Sequence, residues 1–125
     1  MNANKAPIWR DAQRLLLLVE QGVRRLPAYH NYRWGSDLRH QAMLICGLVN
    51  RAWRDPKGRL RHGEHLVMAV DDFKLLLQVG KEVRASAGFG QLQQVVVLAE
   101  ALGRQSGGWC PRLIREPTGH RFELC

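Results

Sequence analysis

Apolar residues recur with helical spacing in four segments of the chain, separated by RLPAYHNYRWGSD, RDPKGRLRHGE and RASAGFGQ. The first segment, about residues 8–25, carries Ile8, Ala12, Leu15, Leu16, Val19 and Val23, with Arg10, Arg14, Glu20 and Arg24 mostly between them. Pro27 stops it, because the residue before a proline avoids the α region. The second, residues 36–54, has the stripe Leu38, Ala42, Ile45, Val49 and Ala52. Ser36 is its expected N-cap, Asp37 suits the positive helix end, and Asp55-Pro56 ends it.

The third segment, residues 63–85, places Leu66, Val70, Phe73, Leu77, Gly80 and Arg84 on one face. Gly80 costs helix propensity, about 1 kcal/mol relative to alanine, which a close neighbour at that point would offset. The fourth, residues 89–106, carries Leu92, Val95, Ala99 and Leu102, and Gly107-Gly108 reads as its C-terminal cap. Helices of roughly 18–22 residues span about 27–33 Å. Four of them with short links predict an all-α fold, an antiparallel up-down four-helix bundle over residues 1–109. Residues 110–125 form a C-terminal tail, in which PTG either turns two short extended pieces or belongs to a disordered segment. The apolar faces of helices two to four are wider than one core stripe needs. That surplus predicts contacts between subunits as well as an internal core.

With 125 residues, 46% hydrophobic and 24% charged, the chain suits one folded domain. A formal net charge of +8 and a pI near 10.3 point to an anionic partner. The excess is confined to the first half. Residues 1–54 hold nine Lys/Arg against three Asp/Glu, residues 55–62 three against one, and residues 63–125 seven of each. A one-sided basic patch is therefore expected. The three cysteines, Cys46, Cys110 and Cys125, include no CxxC pair, which fits a reducing cytoplasm. The start has no signal-peptide core, and LLLLV at 15–19 is too short to span a bilayer.

No catalytic constellation emerges. Asp71 and Asp72 diverge by about 100° on a helix and cannot share a substrate. His62 and His65 have the minimum spacing for a metal site but lack the His-Glu-x-x-His pattern, and a solvated pair is the default. His62 is expected before the helix proper. GRQSGGW lacks the Lys-Ser/Thr ending of a phosphate loop. Cys46, on an apolar helix, reads as a small buried hydrophobe. No cofactor and no metal are expected.

The basic residues remain. Arg39, Arg51 and Arg54 with Lys57, Arg59 and Arg61 can form a ridge of phosphate contacts, joined by Arg10, Arg14, Arg24, Arg25, His30 and Arg33. Tyr29, Tyr32 and Trp34 have rings that can stack on unpaired bases. Aromatics beside a proline also plug the end of a bundle, and that role is expected of Trp34 and of Tyr32.

The succession LPAYHNYRWGSDLRHQA, DDFKLLLQVGKEVR and LAEALGRQSGGW resembles a four-helix-bundle family. That family includes the accessory variability determinant (Avd) proteins of diversity-generating retroelements and the proteins encoded by intervening sequences in bacterial ribosomal RNA genes. The resemblance covers roughly residues 9–109. It rests on Pro27, Tyr29, His30 and Gly35, on Leu75–Arg84, and on Gly103–Trp109; the tail after Trp109 has no counterpart. It implies a homopentameric barrel that has no active site of its own. It also implies association with a reverse transcriptase, template RNA and cDNA during mutagenic retrohoming. The intervening-sequence members share the bundle without a clear retroelement role, so a stand-alone oligomer with a structural or protein-binding role is the second expectation. A metal or cofactor enzyme in the bundle core is a third and weaker one.

Overall fold

The computed structural model describes residues 7–113. They form helix α1 (Pro7–Val23), a single turn α2 (Ala28–His30), a π-helical turn (Asn31–Gly35), and helices α3 (Ser36–Arg54), α4 (Arg59–Glu82) and α5 (Leu92–Leu113). No strand occurs among the described residues. Helices α1 and α4 each pack against both α3 and α5, so the four long helices close around one core. That core contains the expected stripes, including Leu15, Val19, Leu38, Ile45, Val49, Leu66, Val70, Phe73, Val95 and Leu102. Residues 114–125, and with them the PTG turn, lie outside the described residues.

The predicted helices exist, but their ends move. The second helix does not begin at a Ser36 cap. Pro27 is extended (φ −55°, ψ 152°), and helical backbone starts at Ala28, runs through the π turn and continues into α3. Gly35 and Ser36 both hold α-region dihedrals, so Gly35 sets no turn. It is glycine because of crowding: a β-carbon there would come within 2.7 Å of a Val23 methyl on α1. The wider π turn leaves Trp34 and Gly35 buried against the core, while Tyr32 and Arg33 are exposed.

The third helix starts at Arg59 rather than near Gly63, and His62 is inside it. The Asp55 carboxylate accepts the Gly58 N–H at 3.0 Å, which closes the Asp-Pro-Lys-Gly turn tightly enough for α4 to begin at once. At its other end α4 stops at Glu82, short of Ala85. Arg84 takes the left-handed conformation (φ 61°), Ala85 N–H returns to the Gly80 carbonyl at 2.8 Å, and Arg84 N–H bonds that of Lys81. This is a Schellman cap with arginine where glycine is usual. A side chain in that conformation costs about 1–2 kcal/mol, partly offset by glycine's extra freedom when unfolded. Arg84→Gly is therefore expected to raise stability by about 0.5–1 kcal/mol, read as a higher urea midpoint at unchanged slope. An unchanged midpoint would mean that the arginine side chain contributes as much as its backbone costs.

The fourth helix begins at Leu92, after Phe89 has been buried from the preceding loop. It also runs through Gly107 and Gly108 to Leu113 instead of being capped there, so it takes in four residues of the expected tail. A glycine pair permits a left-handed cap but does not impose one; here Leu102 and Ser106 are buried on the same helix just before it.

Trp34 shows why two glycines stand in helices. Its indole lies on Gly80 of α4, where a β-carbon would overlap the ring, and its Nε1 donates to the Leu76 carbonyl at 2.7 Å. Phe89 meets it edge-on at 6.0 Å and itself covers Gly22 of α1. Trp34 thus closes this end of the bundle, as expected. Tyr32, 83% exposed, does not.

Candidate nucleic-acid interface

Arg10, Arg14, Arg24, Arg25, Arg33, Arg51, Arg54, Lys57 and Arg61 are exposed. None of these nine belongs to an ion pair among the described residues. The other three predicted contacts are half-buried. Arg39 is committed twice, through Nε to the Glu20 carboxylate at 3.3 Å and through Nη2 to the Asn31 side-chain oxygen at 3.3 Å. The same Asn31 amide donates to the Val23 carbonyl, so Arg39 ties α3 to the end of α1. Arg59 donates from Nε to the Ala52 carbonyl at 2.8 Å and from Nη2 to that of Trp53, satisfying the last turn of α3. His30 stacks edge-on against Tyr29 at 5.2 Å.

The basic residues do not gather on one side. Helices α1 and α3 carry them to both ends of the bundle. At one end lie Arg24 and Arg25 just past α1, with His30 and Arg33 beyond Pro27 and Arg84 in the loop before α5. Arg25 rests against Gly90 of that loop, and a cleft of about 280 Å³ opens between Gln21, Gly22, Arg24, Arg25, Gly90 and Gln91. Tyr29, two residues past Pro27, is 66% exposed, with the Arg33 guanidinium 5.9 Å from its ring centre.

At the other end Arg51 and Arg54 finish α3, Lys57 lies in the link, and Arg61 is in the first turn of α4. Arg10 and Arg14 extend this set along α1, whose N-terminal half meets α3 where the Cys46 thiol donates to the Ala12 carbonyl at 3.3 Å. Arg33 and Arg51 are eighteen residues apart on nearly continuous helix, roughly 27 Å at 1.5 Å per residue. Sequence charge counting could not separate the ends, because one helix contributes to both.

Two of the remaining chemical candidates are built into the structure. His62 pairs with Asp55 at 3.2 Å, while His65 is exposed. The Gly58 N–H, then His62, then the Arg61 charge hold the Asp55 carboxyl below its usual range. Burial pushes the Cys46 thiol up to about 11, so it stays protonated as a packed side chain near neutral pH. Among the described residues no cluster of three or more His, Cys, Asp or Glu could hold a metal ion. None of the helices described is long and apolar enough to cross a membrane.

The predicted surplus of apolar surface is present on α3 and α4. Met43, Leu44, Met68, Leu75 and Val79 are all exposed by 40% or more. A groove of about 400 Å³ between the two helices is lined by Asp37, His40, Gln41, Asp72, Leu75, Leu76 and Val79. A second groove, between α4 and α5, combines Lys74, Lys81, Glu82 and Glu100 around Leu77, Val96 and Ala99. Comparison of the chain with family models, curated proteins and solved structures gives no match.

Proposed function

We propose that the protein is a non-catalytic, cytoplasmic nucleic-acid-binding accessory protein. It partners a reverse transcriptase and template RNA in the cDNA synthesis of a diversity-generating retroelement. One observation carries the nucleic-acid part: nine exposed cations from residues 10–61 stand outside any ion pair among the described residues. Solvated cations without local partners supply the charge that phosphates can replace counterions on. The reverse-transcriptase part rests on the family resemblance.

An antiparallel up-down order is supported by the cross-helix pairs. Ala12 meets Cys46 while Glu20 meets Arg39, and Gln41 meets Ala69 while Trp34 meets Leu76. Positions rise on one helix as they fall on its neighbour. Self-association is supported by the exposed apolar residues of α3 and α4, which water disfavours, and the homopentamer rests on the family resemblance. The same face favours the second reading, a stand-alone oligomer of the intervening-sequence type that binds protein and no template.

Titrating labelled template RNA at several salt concentrations separates the two. The logarithm of affinity should fall linearly with the logarithm of salt, by roughly 0.7 per phosphate contact on a single strand. Affinity that is flat between 50 and 200 mM salt, about a four-fold range, would sink the nucleic-acid reading. Co-purification with a reverse transcriptase encoded beside the gene tests the partner.

A further inference from the structure

The aromatic stretch near Pro27 combines two kinds of residue, and the fold sorts them. Trp34 is consumed by the core: buried, hydrogen-bonded to Leu76, and seated on Gly80. Tyr29 and Tyr32 are not consumed. They are 66% and 83% exposed, three residues apart, on the short α2 and π turns that precede α3. Neither tyrosine hydroxyl takes part in a hydrogen bond among the described residues. Two large rings left in water, one of them beside Arg33, at the end of the bundle that also carries Arg24, Arg25 and Arg84, are poorly explained by stability alone, because that placement gains neither burial nor a partner for the hydroxyls.

We infer that this end of the bundle binds single-stranded nucleic acid by stacking unpaired bases on Tyr29 and Tyr32, while the surrounding arginines take the flanking phosphates. This deepens the nucleic-acid reading above and rests on it. Tyr32 offers the freer ring. Tyr29 has the Arg33 guanidinium over one face, 5.9 Å from its centre, and His30 packed at a steep angle to it, so a base takes a face that Arg33 leaves open or displaces the guanidinium to a phosphate. Arg24 and Arg25 line a cleft of about 280 Å³ at the same end, open to a phosphate of the next nucleotide. The acids of this region do not oppose it equally. Glu20 is engaged by Arg39, leaving Glu82 and Asp37 as the exposed carboxylates. Bases in a duplex keep their faces covered by their neighbours, so stacking of this kind discriminates against double strands, whereas phosphate contacts alone do not.

The test compares an unstructured single-stranded oligonucleotide with a duplex of the same length and ionic conditions, for the full chain and two variants. The double variant Tyr29→Ala, Tyr32→Ala should bind the single strand roughly ten-fold or more weakly, since each base stacked on an aromatic ring is worth that much. Its duplex affinity should not change. The double variant Tyr29→Phe, Tyr32→Phe keeps both rings and should retain single-strand affinity. Because both side chains are exposed, all three proteins should unfold at the same temperature. An Ala variant that binds the single strand as well as the parent overturns the stacking site; if that binding still weakens steeply with salt, the basic reading survives alone. Equal losses on single strand and duplex overturn stacking as well. A parent chain that binds neither oligonucleotide overturns both readings.

Discussion

Trp34→Ala should cost about 3–5 kcal/mol, the range for removing a buried tryptophan, and lower the melting temperature by on the order of 10–20 °C. The size follows from what the ring does. It joins the π turn to α4 through the 2.7 Å bond to Leu76, covers Gly80, and supports Phe89, which in turn covers Gly22. A domain of this size has roughly 5–15 kcal/mol to lose, so the variant sits near the edge of folding. Gly80 gives the companion measurement. In the parent chain Gly80→Ala forces a β-carbon into the indole and should destabilise, because that side chain has no room to retreat. In the Trp34→Ala background the clash is gone and only helix propensity remains, which favours alanine by about 1 kcal/mol. The sign of the Gly80→Ala effect should therefore reverse between the two backgrounds. Equal costs in both would show that Gly80 is held small by something other than Trp34.

This coupling was half legible in the sequence. A glycine on the buried stripe of a strongly periodic helix, as at Gly80, calls for a close neighbour. The neighbour's identity was not legible, because Trp34 belongs to a stretch whose proline and glycine resemble a loop. Pro27 does break the chain. Gly35 does not, since its reason is the Val23 methyl from another helix, and no local pattern reports such a contact. The stripes Leu38 to Ala52 and Leu66 to Gly80 survive intact because burial of one face is a property of spacing. Helix ends survive less well. They depend on single bonds such as Gly58 to Asp55, or on an arginine accepting a left-handed backbone. The basic site divides similarly: the residue types were readable, but their commitment was not. Arg39 and Arg59 look like their neighbours in sequence, yet Glu20, Asn31 and two carbonyls of α3 occupy them.

That distinction decides how the interface should be tested. Charge reversal at Arg39 would mix a loss of stability into any loss of binding, since it places two carboxylates, Glu20 and the new one, face to face. The informative variant leaves Arg39 and Arg59 alone and changes Arg51, Arg54, Lys57 and Arg61 to glutamine. All four are exposed, so the melting temperature should hold. If each touches a phosphate, the salt slope on single-stranded RNA should fall by about 3, and affinity at 50 mM salt by on the order of a thousand-fold. A matching variant at the other end, Arg24, Arg25, Arg33 and Arg84 to glutamine, tests whether one strand uses both sets. The ends are roughly 27 Å apart, and phosphates of an extended single strand are spaced more widely than the ~3.4 Å per strand of a stacked duplex, so at most about eight of them span that distance. An RNA of twenty nucleotides, long enough to bridge that distance, should respond to both variants. One of three nucleotides, too short to bridge that distance even when extended, should bind at either end alone and lose only part of its affinity to each variant. Equal sensitivity of the short and long RNAs to both variants would mean that the two ends do not act on one strand. Retention of the full slope in both variants would move the contact surface away from the ends of the bundle altogether.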